Sequence, residues 1–271
     1  MEVLFIIFAQ HNQHSVCDKL AGGRKMNIVV TGATSGVGMA IVRKLCAQGH
    51  TVFATGRSEA GLHALKAIGA TAIKADLTQP HDQEALMIQL PDVDCVILCA
   101  GVGDFSDFSS QTDDSIQQMI AVNVTATALL ARRFTTKMLA QGYGQLIFIG
   151  SQAGKVATPK AVVYAATKHA IVGLANGLRL ELAPHHIVVT AIHPGPIDTP
   201  FLHKADSTNR YKKAVANVLL SPEKVADETI KVIGTSKREV NLPRIMGLTS
   251  KMYQLAPAFI ETIGKSFFYK K

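Results

Sequence analysis

From residue 26 onward, short runs of β-branched and aliphatic residues alternate with longer stretches in which apolar side chains recur every three or four positions. The short runs are 27–31, 51–55, 71–74, 95–99, 145–150 and 187–193, with a weaker last one near 239–242. Most are continuously apolar, as strands covered by helices on both faces should be. Helical periodicity fills 37–48, 58–68, 81–89, 112–140 and 160–183. Such alternation predicts βαβ units around a doubly wound, mainly parallel sheet of about seven strands, an α/β fold with helices on both faces. No repeat, low-complexity tract or linker interrupts it, so a single domain is expected, with everything after about residue 195 lying over its open edge. The last two helical stretches carry more apolar residues than one sheet face uses: Val122, Val124, Leu129 and Leu130 in one, Ala165, Ala166, Ile171, Leu174 and Leu178 in the other. A homodimer interface through these two helices is the expectation.

Composition narrows the class. With 271 residues, 48% hydrophobic and 18% charged, the chain can bury a large core, which excludes intrinsic disorder. The formal charge of +8 invites a nucleic-acid or membrane partner. Its distribution changes that picture, because residues 26–202 carry 12 basic and 12 acidic side chains whereas residues 203–271 carry 13 and 6. A neutral body without a basic, aromatic-interleaved stripe argues against nucleic acid. Cys17, Cys46, Cys95 and Cys99 show neither C-x-x-C spacing nor partner histidines, so no disulfide framework or metal site is expected, and a reducing cytoplasm is. The apolar run 3–9 is too short to span a membrane and lacks the basic flank of a signal peptide. Residues 1–25 are therefore read as an N-terminal extension outside the fold.

Candidate chemistry begins where the first strand enters Thr31-Gly32-Ala33-Thr34-Ser35-Gly36-Val37-Gly38 and a helix follows. Gly32 permits a tight turn, Gly36 lets backbone approach a diphosphate and Gly38 allows close helix packing, while the helix start favours the anion. About 20 residues on, where an acid would hold a ribose 2′-hydroxyl, stands Gly56-Arg57-Ser58. Arg57 is a planar cation suited to a 2′-phosphate, which favours NADP(H) over NAD(H); the bland reading is a solvent-facing arginine at a helix start. Asp76 either accepts from an adenine amine or caps the next turn.

Ser151 follows the apolar run 146–150, at the carboxyl end of a strand. Tyr164 and Lys168, at i and i+4, share one helix face. A phenol of pKa about 10 works poorly as an acid or base at neutral pH, and lowering it by about 2 to 3 units takes roughly 3 to 4 kcal/mol, which an adjacent ammonium and a cationic nicotinamide would supply. Alone, Y-x-x-x-K is common on surface helices.

Together, these residues resemble the short-chain dehydrogenase/reductase family, whose T-G-x-x-x-G-x-G, serine, Y-x-x-x-K and P-G motifs recur here in order over about residues 26–240. The resemblance implies a Rossmann-like fold and an NADP(H)-dependent oxidoreductase that moves a hydride between nicotinamide and a carbonyl or secondary alcohol. It implies Tyr164 as general acid/base, Lys168 as the partner that lowers its pKa and holds the nicotinamide ribose, Ser151 as the donor orienting the carbonyl, and Asn123 as a proton relay through water to the lysine. Cofactor contacts are expected from Gly32, Thr34, Ser35, Gly36, Val37, Gly38, Arg57, Ser58, Asp76, Leu77, Ala100, Gly101, Tyr164, Lys168, Pro194, Gly195, Ile197 and Thr199. One departure is Cys99-Ala100-Gly101, where the family has N-A-G: the asparagine that braces the sheet is replaced by a thiol, either redox-sensing or buried and inert. The alternative in another class is a catalytically silent NADP(H)-binding sensor of the same fold. Sugar-nucleotide epimerases need a larger C-terminal domain.

The catalytic domain is expected over 26–245, including a substrate lid at about 196–220. There Phe201, Leu202, His203, Lys204, Arg210 and Tyr211 suit an acyl or aromatic carbonyl with a negative group. Residues 246–271 read as an amphipathic basic segment in which Leu255, Phe259, Ile263 and Phe267 recur every fourth position. That stripe can dock on the chain's own lid, on a partner subunit or on an anionic membrane surface, the first two being favoured.

Overall fold

The computed structural model describes residues 24–206 and 210–264. Its strands are β1 (Asn27–Val30), β2 (Thr51–Gly56), β3 (Thr71–Lys74), β4 (Cys95–Leu98), β5 (Gly144–Ile149), β6 (Ile187–Pro194) and β7 (Glu239–Leu242). All pair in parallel in the order β3-β2-β1-β4-β5-β6-β7. The chain winds outward from β1 to β3 and then crosses back to β4. The order therefore reverses between β1 and β4 and opens a crevice at the strands' carboxyl ends. Each strand ends within one residue of its expected limit. Thr31, just past β1, donates its N–H to the Ile97 carbonyl at 3.0 Å, and its Oγ1 accepts the N–H groups of Cys99 and Ala100, at 3.0 and 3.1 Å.

Helices α1 (Gly36–Ala47), α2 (Glu59–Ala67) and α3 (Pro80–Gln89) follow the first three strands. The stretch expected as one helix at 112–140 comprises α4 (Asp113–Ile120), a π-helical segment (Ala121–Ala126) and α5 (Thr127–Gln141). Thr112 caps the start of α4 by accepting from the Ser115 N–H at 3.2 Å, and Gly142, at φ +78°, ends α5. The next long helix is α6 (Val162–Leu182). Beyond β6 come α7 (Pro200–Ala205), α8 (Arg210–Ala214), α9 (Pro222–Ile230), α10 (Arg244–Leu255) and α11 (Pro257–Ile263).

Two apolar layers enclose the sheet. On one face Ile41, Val42 and Leu45 of α1 join Ile28, Ile147 and Val225; on the other Leu130, Phe134 and Met138 of α5 join Ile171 and Ala175 of α6. The excess apolar content of the long helices is partly spent inside the chain: Val122, Leu130, Ala165 and Ile171 are buried, Val124, Leu129, Leu174 and Leu178 half-buried and Ala166 exposed. The outward side of α6 combines the small residues Ala166, Ala170, Gly173 and Gly177 with exposed Val162, His169, Leu180 and Glu181.

At the amino end, Arg24 pairs with Asp94 and donates to the Tyr143 hydroxyl at 3.3 Å, so the fold includes Arg24, two residues ahead of the expected boundary. The rest of the expected extension, and Phe267, lie outside the described residues.

Candidate active site

The turn between β1 and α1 is held by close approaches that only glycine allows. Gly32 has φ +62°, and a Cβ there would lie 2.7 Å from the Ala100 Cα. One on Gly38 would lie 2.4 Å from the Gly32 carbonyl oxygen. Ser35 precedes α1 without a side-chain cap bond, which leaves the helix's first N–H groups to an anionic ligand. Across the crevice, Thr199 faces Gly36.

Beyond β2, the Ser58 Oγ accepts from the Gly61 N–H at 3.3 Å and starts α2. Arg57 Nη1 stands 3.5 Å from Asp76 Oδ2, and both side chains are partly exposed. Asp76 Oδ1 also accepts from the Thr78 N–H and hydroxyl at 3.0 and 2.8 Å, so the turn-capping reading of Asp76 is realised. Burial opposes ionisation of Asp76, but the bonds from Thr78 and the Arg57 charge hold its carboxyl below the ordinary value.

Ser151 leaves β5 and opens a single 3₁₀ turn, Gln152–Gly154; its Oγ accepts from the Ala153 N–H at 3.0 Å and is hydrogen-bonded to the Tyr164 hydroxyl. Lys168, one turn along α6, places Nζ 5.8 Å from the Tyr164 ring centroid and donates to the Ile149 carbonyl at 3.1 Å. Burial lowers Lys168 to about 8, against a small opposing effect of Cys99. Burial also pushes the Tyr164 phenol above its ordinary value, against the bond from Ser151. Burial is the largest influence on the Tyr164 phenol, ahead of Ser151 and Tyr211.

Asn123 lies in the π-helical segment and does not border the cavity. Its Oδ1 accepts from the Val102 N–H at 2.8 Å, and its Nδ2 donates to the Val102 carbonyl and Thr167 hydroxyl at 2.8 and 3.0 Å. It ties the loop after β4 to α6, behind Gly101. The Cys99 departure is bridged by the two Thr31 bonds already described. Burial pushes the Cys99 thiol up to about 11, with Lys168 opposing, which makes it a poor redox sensor.

The remaining expected residues, from Gly32 to Thr199, line one cavity of about 1250 Å³ together with Ser151, Tyr164 and Lys168. Its other half is apolar and aromatic. Phe105 stacks near Tyr164, Phe201 and Tyr211, with ring centroids 5.4, 6.3 and 4.8 Å away, and its N–H donates to the Ala205 carbonyl at 2.8 Å. Nothing in the sequence pattern singled out Phe105, one of two phenylalanines, with Phe108, in the connection after β4. Of the cationic lid residues, Lys204 borders the cavity, whereas His203 turns toward Asp198 and Lys212. Arg210 lines a smaller neighbouring hollow with Asp107 and Lys160.

Behind Ser151 lies a second group that sequence reasoning missed. Buried Lys155 donates to Glu239 Oε1 at 2.8 Å, and the other Glu239 oxygen is 3.7 Å from Nε2 of the fully buried His193. Gln152 donates to the His193 carbonyl at 2.7 Å and to Asn241 Oδ1 at 2.9 Å, joining the serine turn to β6 and β7. Burial and the Lys155 charge hold His193 down at about 4. Replacing Lys155 with Met leaves the partly exposed Glu239 with the Asn241 amide at 3.1 Å and a neutral imidazole beside it. The expected loss is about 2 to 4 kcal/mol in denaturant unfolding, together with a rise in the His193 pKa measurable by NMR; an unchanged transition midpoint would contradict it.

Comparison with known proteins agrees with this geometry. The family model described as short chain dehydrogenase matches residues 26–210. An uncharacterized oxidoreductase of Staphylococcus haemolyticus is 30% identical over 225 residues, covering 80% of this chain and 94% of that protein. The 3-ketodihydrosphingosine reductase of Mus musculus is 28% identical over 76% of this chain and 67% of its own length. Among solved structures, a serine dehydrogenase complexed with NADP+ superposes with TM-score 0.73 at 28% identity, covering 80% of this chain and 94% of that one. An actinorhodin polyketide ketoreductase with NADPH gives 0.74 at 28%, covering 82% and 97%. Relatives named as oxidoreductases do not favour a silent sensor. The family match over most of the chain, and a seven-stranded Rossmann-like sheet with its crevice at the switch point, establish this protein as an oxidoreductase of the short-chain dehydrogenase/reductase family.

Proposed function

We propose that the protein is an NADP(H)-dependent reductase or dehydrogenase acting on a carbonyl or secondary alcohol group. The observation that carries this reading is that Ser151, Tyr164 and Lys168 border the same cavity as the glycine turn. The residues present fit a dinucleotide: the turn around Gly32 has no room for a Cβ, the start of α1 offers uncapped N–H groups, and no carboxylate follows β2 at Arg57. The diphosphate would lie against Ser35, Gly36 and Val37, the 2′-phosphate against Arg57 and Ser58, and the nicotinamide end against Pro194, Gly195, Ile197 and Thr199. When bound, the nicotinamide supplies or accepts the hydride.

This chain's own residues handle the proton. Ser151 and Tyr164, already hydrogen-bonded, are two donors for one substrate oxygen. A phenol held protonated by burial is an acid in waiting, which suits reduction: Tyr164 gives the carbonyl oxygen its proton and Lys168, 5.8 Å from the ring, stabilises the phenolate that remains. Asn123 fixes the Gly101 loop beside Lys168, and its part in a proton relay belongs to this proposal.

Arg57→Ala should weaken NADPH by about tenfold or more and leave NADH nearly unchanged, as read by titration calorimetry; equal weakening would place the 2′-phosphate elsewhere. Lys168 should lose its proton in the folded protein as pH rises through about 8, whereas an unfolded lysine keeps it to 10.5. In that window the unfolded state binds more protons, so this residue's contribution to stability rises with pH. The check is the stability difference between wild type and Lys168→Met across the window; a pH-independent difference would contradict it.

Phe105, Phe201 and Tyr211 support a substrate with an apolar body, with Lys204 available to a negative group. Two of the relatives are named for a ketodihydrosphingosine and a polyketide. The exposed small residues of α6, with exposed Val162 and Leu180 beside them, support a homodimer, measurable by light scattering. Among the described residues no helix is long and apolar enough to cross a membrane.

A further inference from the structure

The two C-terminal helices show the environment two different faces. Inward, Met246, Thr249 and Tyr253 of α10 and Ile260 of α11 line the cavity. Outward, Leu248, Met252, Leu255, Phe259 and Ile263 recur at helical spacing and remain solvent-facing, with the exposed Ile245, which also borders the cavity, at the edge; Leu255 is 87% exposed and Phe259 and Ile263 are each 64% exposed. Among the described residues, six of the thirteen large apolar side chains left exposed fall in this one short stretch, and the other seven are scattered. Isolated exposed apolar residues need no explanation, but a continuous stripe does.

Charge decides what covers it. Residues 244–271 carry five basic side chains and one acidic, Glu261, and the exposed Arg244 and Lys251 flank the stripe. Two copies apposed through this face would each bring that excess positive charge to the contact. An anionic lipid surface neutralises it and accepts the apolar stripe at once.

We propose that α10 and α11 form a membrane-surface docking element: the outward stripe lies among anionic lipid headgroups and the inward side bounds the cavity. The substrate is then an amphiphilic carbonyl compound held in the bilayer, which passes between these helices to Tyr164. This substrate class rests on the carbonyl-reductase reading; the docking does not.

Two measurements separate them. In flotation with vesicles of phosphatidylcholine and phosphatidylserine, the full chain should rise with the lipid, and it should stay at the bottom with phosphatidylcholine alone. The triple variant Leu248→Ser, Leu255→Ser, Phe259→Ser, whose positions are exposed and outside the cavity lining, should float at least about tenfold less. Removing Arg244 and Lys251 charge with glutamine should weaken binding about fivefold per residue. With a water-soluble ketone the triple variant should turn over NADPH as the wild type does, whereas with a long-chain ketone dissolved in anionic vesicles it should lose most of its rate. A triple variant that floats as well as wild type would overturn the docking. So would a wild type that never floats but whose dimer dissociates on the triple substitution, which would assign the stripe to a second copy. Normal flotation with no turnover of either ketone would instead remove the carbonyl-reductase reading.

Discussion

Replacing Tyr164 with Phe should lower kcat by about 10² to 10⁴, the range general acid catalysis supplies, while NADPH binds as before. The substitution removes one oxygen from a side chain whose ring stays packed against Phe105 and Phe201, at centroid distances of 5.4 and 5.7 Å. The fold should tolerate it, because the oxygen's partner within the protein is the Ser151 hydroxyl, which keeps its bond from the Ala153 N–H. Binding and chemistry therefore separate: calorimetry with NADPH should match the wild type while steady-state turnover collapses. A variant that turns over at the wild-type rate would show that another group delivers the proton.

Gly32→Ala should damage both stability and cofactor binding. The residue sits at φ +62°, which costs an alanine about 1 kcal/mol, and its Cβ would come within 2.7 Å of the Ala100 Cα and 2.9 Å of the Ala100 nitrogen. Both neighbours are backbone, and they are held by the Thr31 hydroxyl, so they cannot simply swing aside. A total loss of about 3 kcal/mol or more is expected, lowering Tm by roughly 6 to 12 °C for a domain of this size. The Ala100–Gly101 loop would be displaced from the cavity, and NADPH should no longer protect the protein against heating. Wild-type Tm and NADPH protection would contradict the close packing of the turn.

The strands and helices were legible because burial on two faces writes continuous apolar runs, and burial on one face writes a period of three to four. The candidate site was legible where local geometry demands a particular residue: glycines at the first turn, Ser151 at a strand end, and Tyr164 and Lys168 one helical turn apart. What escaped depends on contacts between distant segments. The π-helical segment at 121–126 leaves the apolar periodicity intact, so the whole of 112–140 reads as one helix. Phe105 acquires meaning only when the lid places Phe201 and Tyr211 against it. Lys155 and Glu239 are 84 residues apart, and each alone reads as an ordinary surface charge. Spacing shows that Tyr164 and Lys168 meet, whereas the burial that moves both from their ordinary values is set by segments distant in sequence. At the C-terminus the every-fourth pattern was legible, whereas the break at Pro257 and the outward aim of Leu255, Phe259 and Ile263 emerge only in three dimensions.

The central claim is hydride transfer to a carbonyl carbon at this cavity. Its most direct test is incubation with NADPH deuterated at the transferable nicotinamide position and a panel of aldehydes, ketones, quinones, steroids and acyl thioesters, followed by mass spectrometry of the products. The account predicts at least one alcohol carrying deuterium on its carbinol carbon, formed in step with NADP+ and absent with Tyr164→Phe. NADPH that binds tightly yet yields no deuterated alcohol from any member of the panel would contradict it.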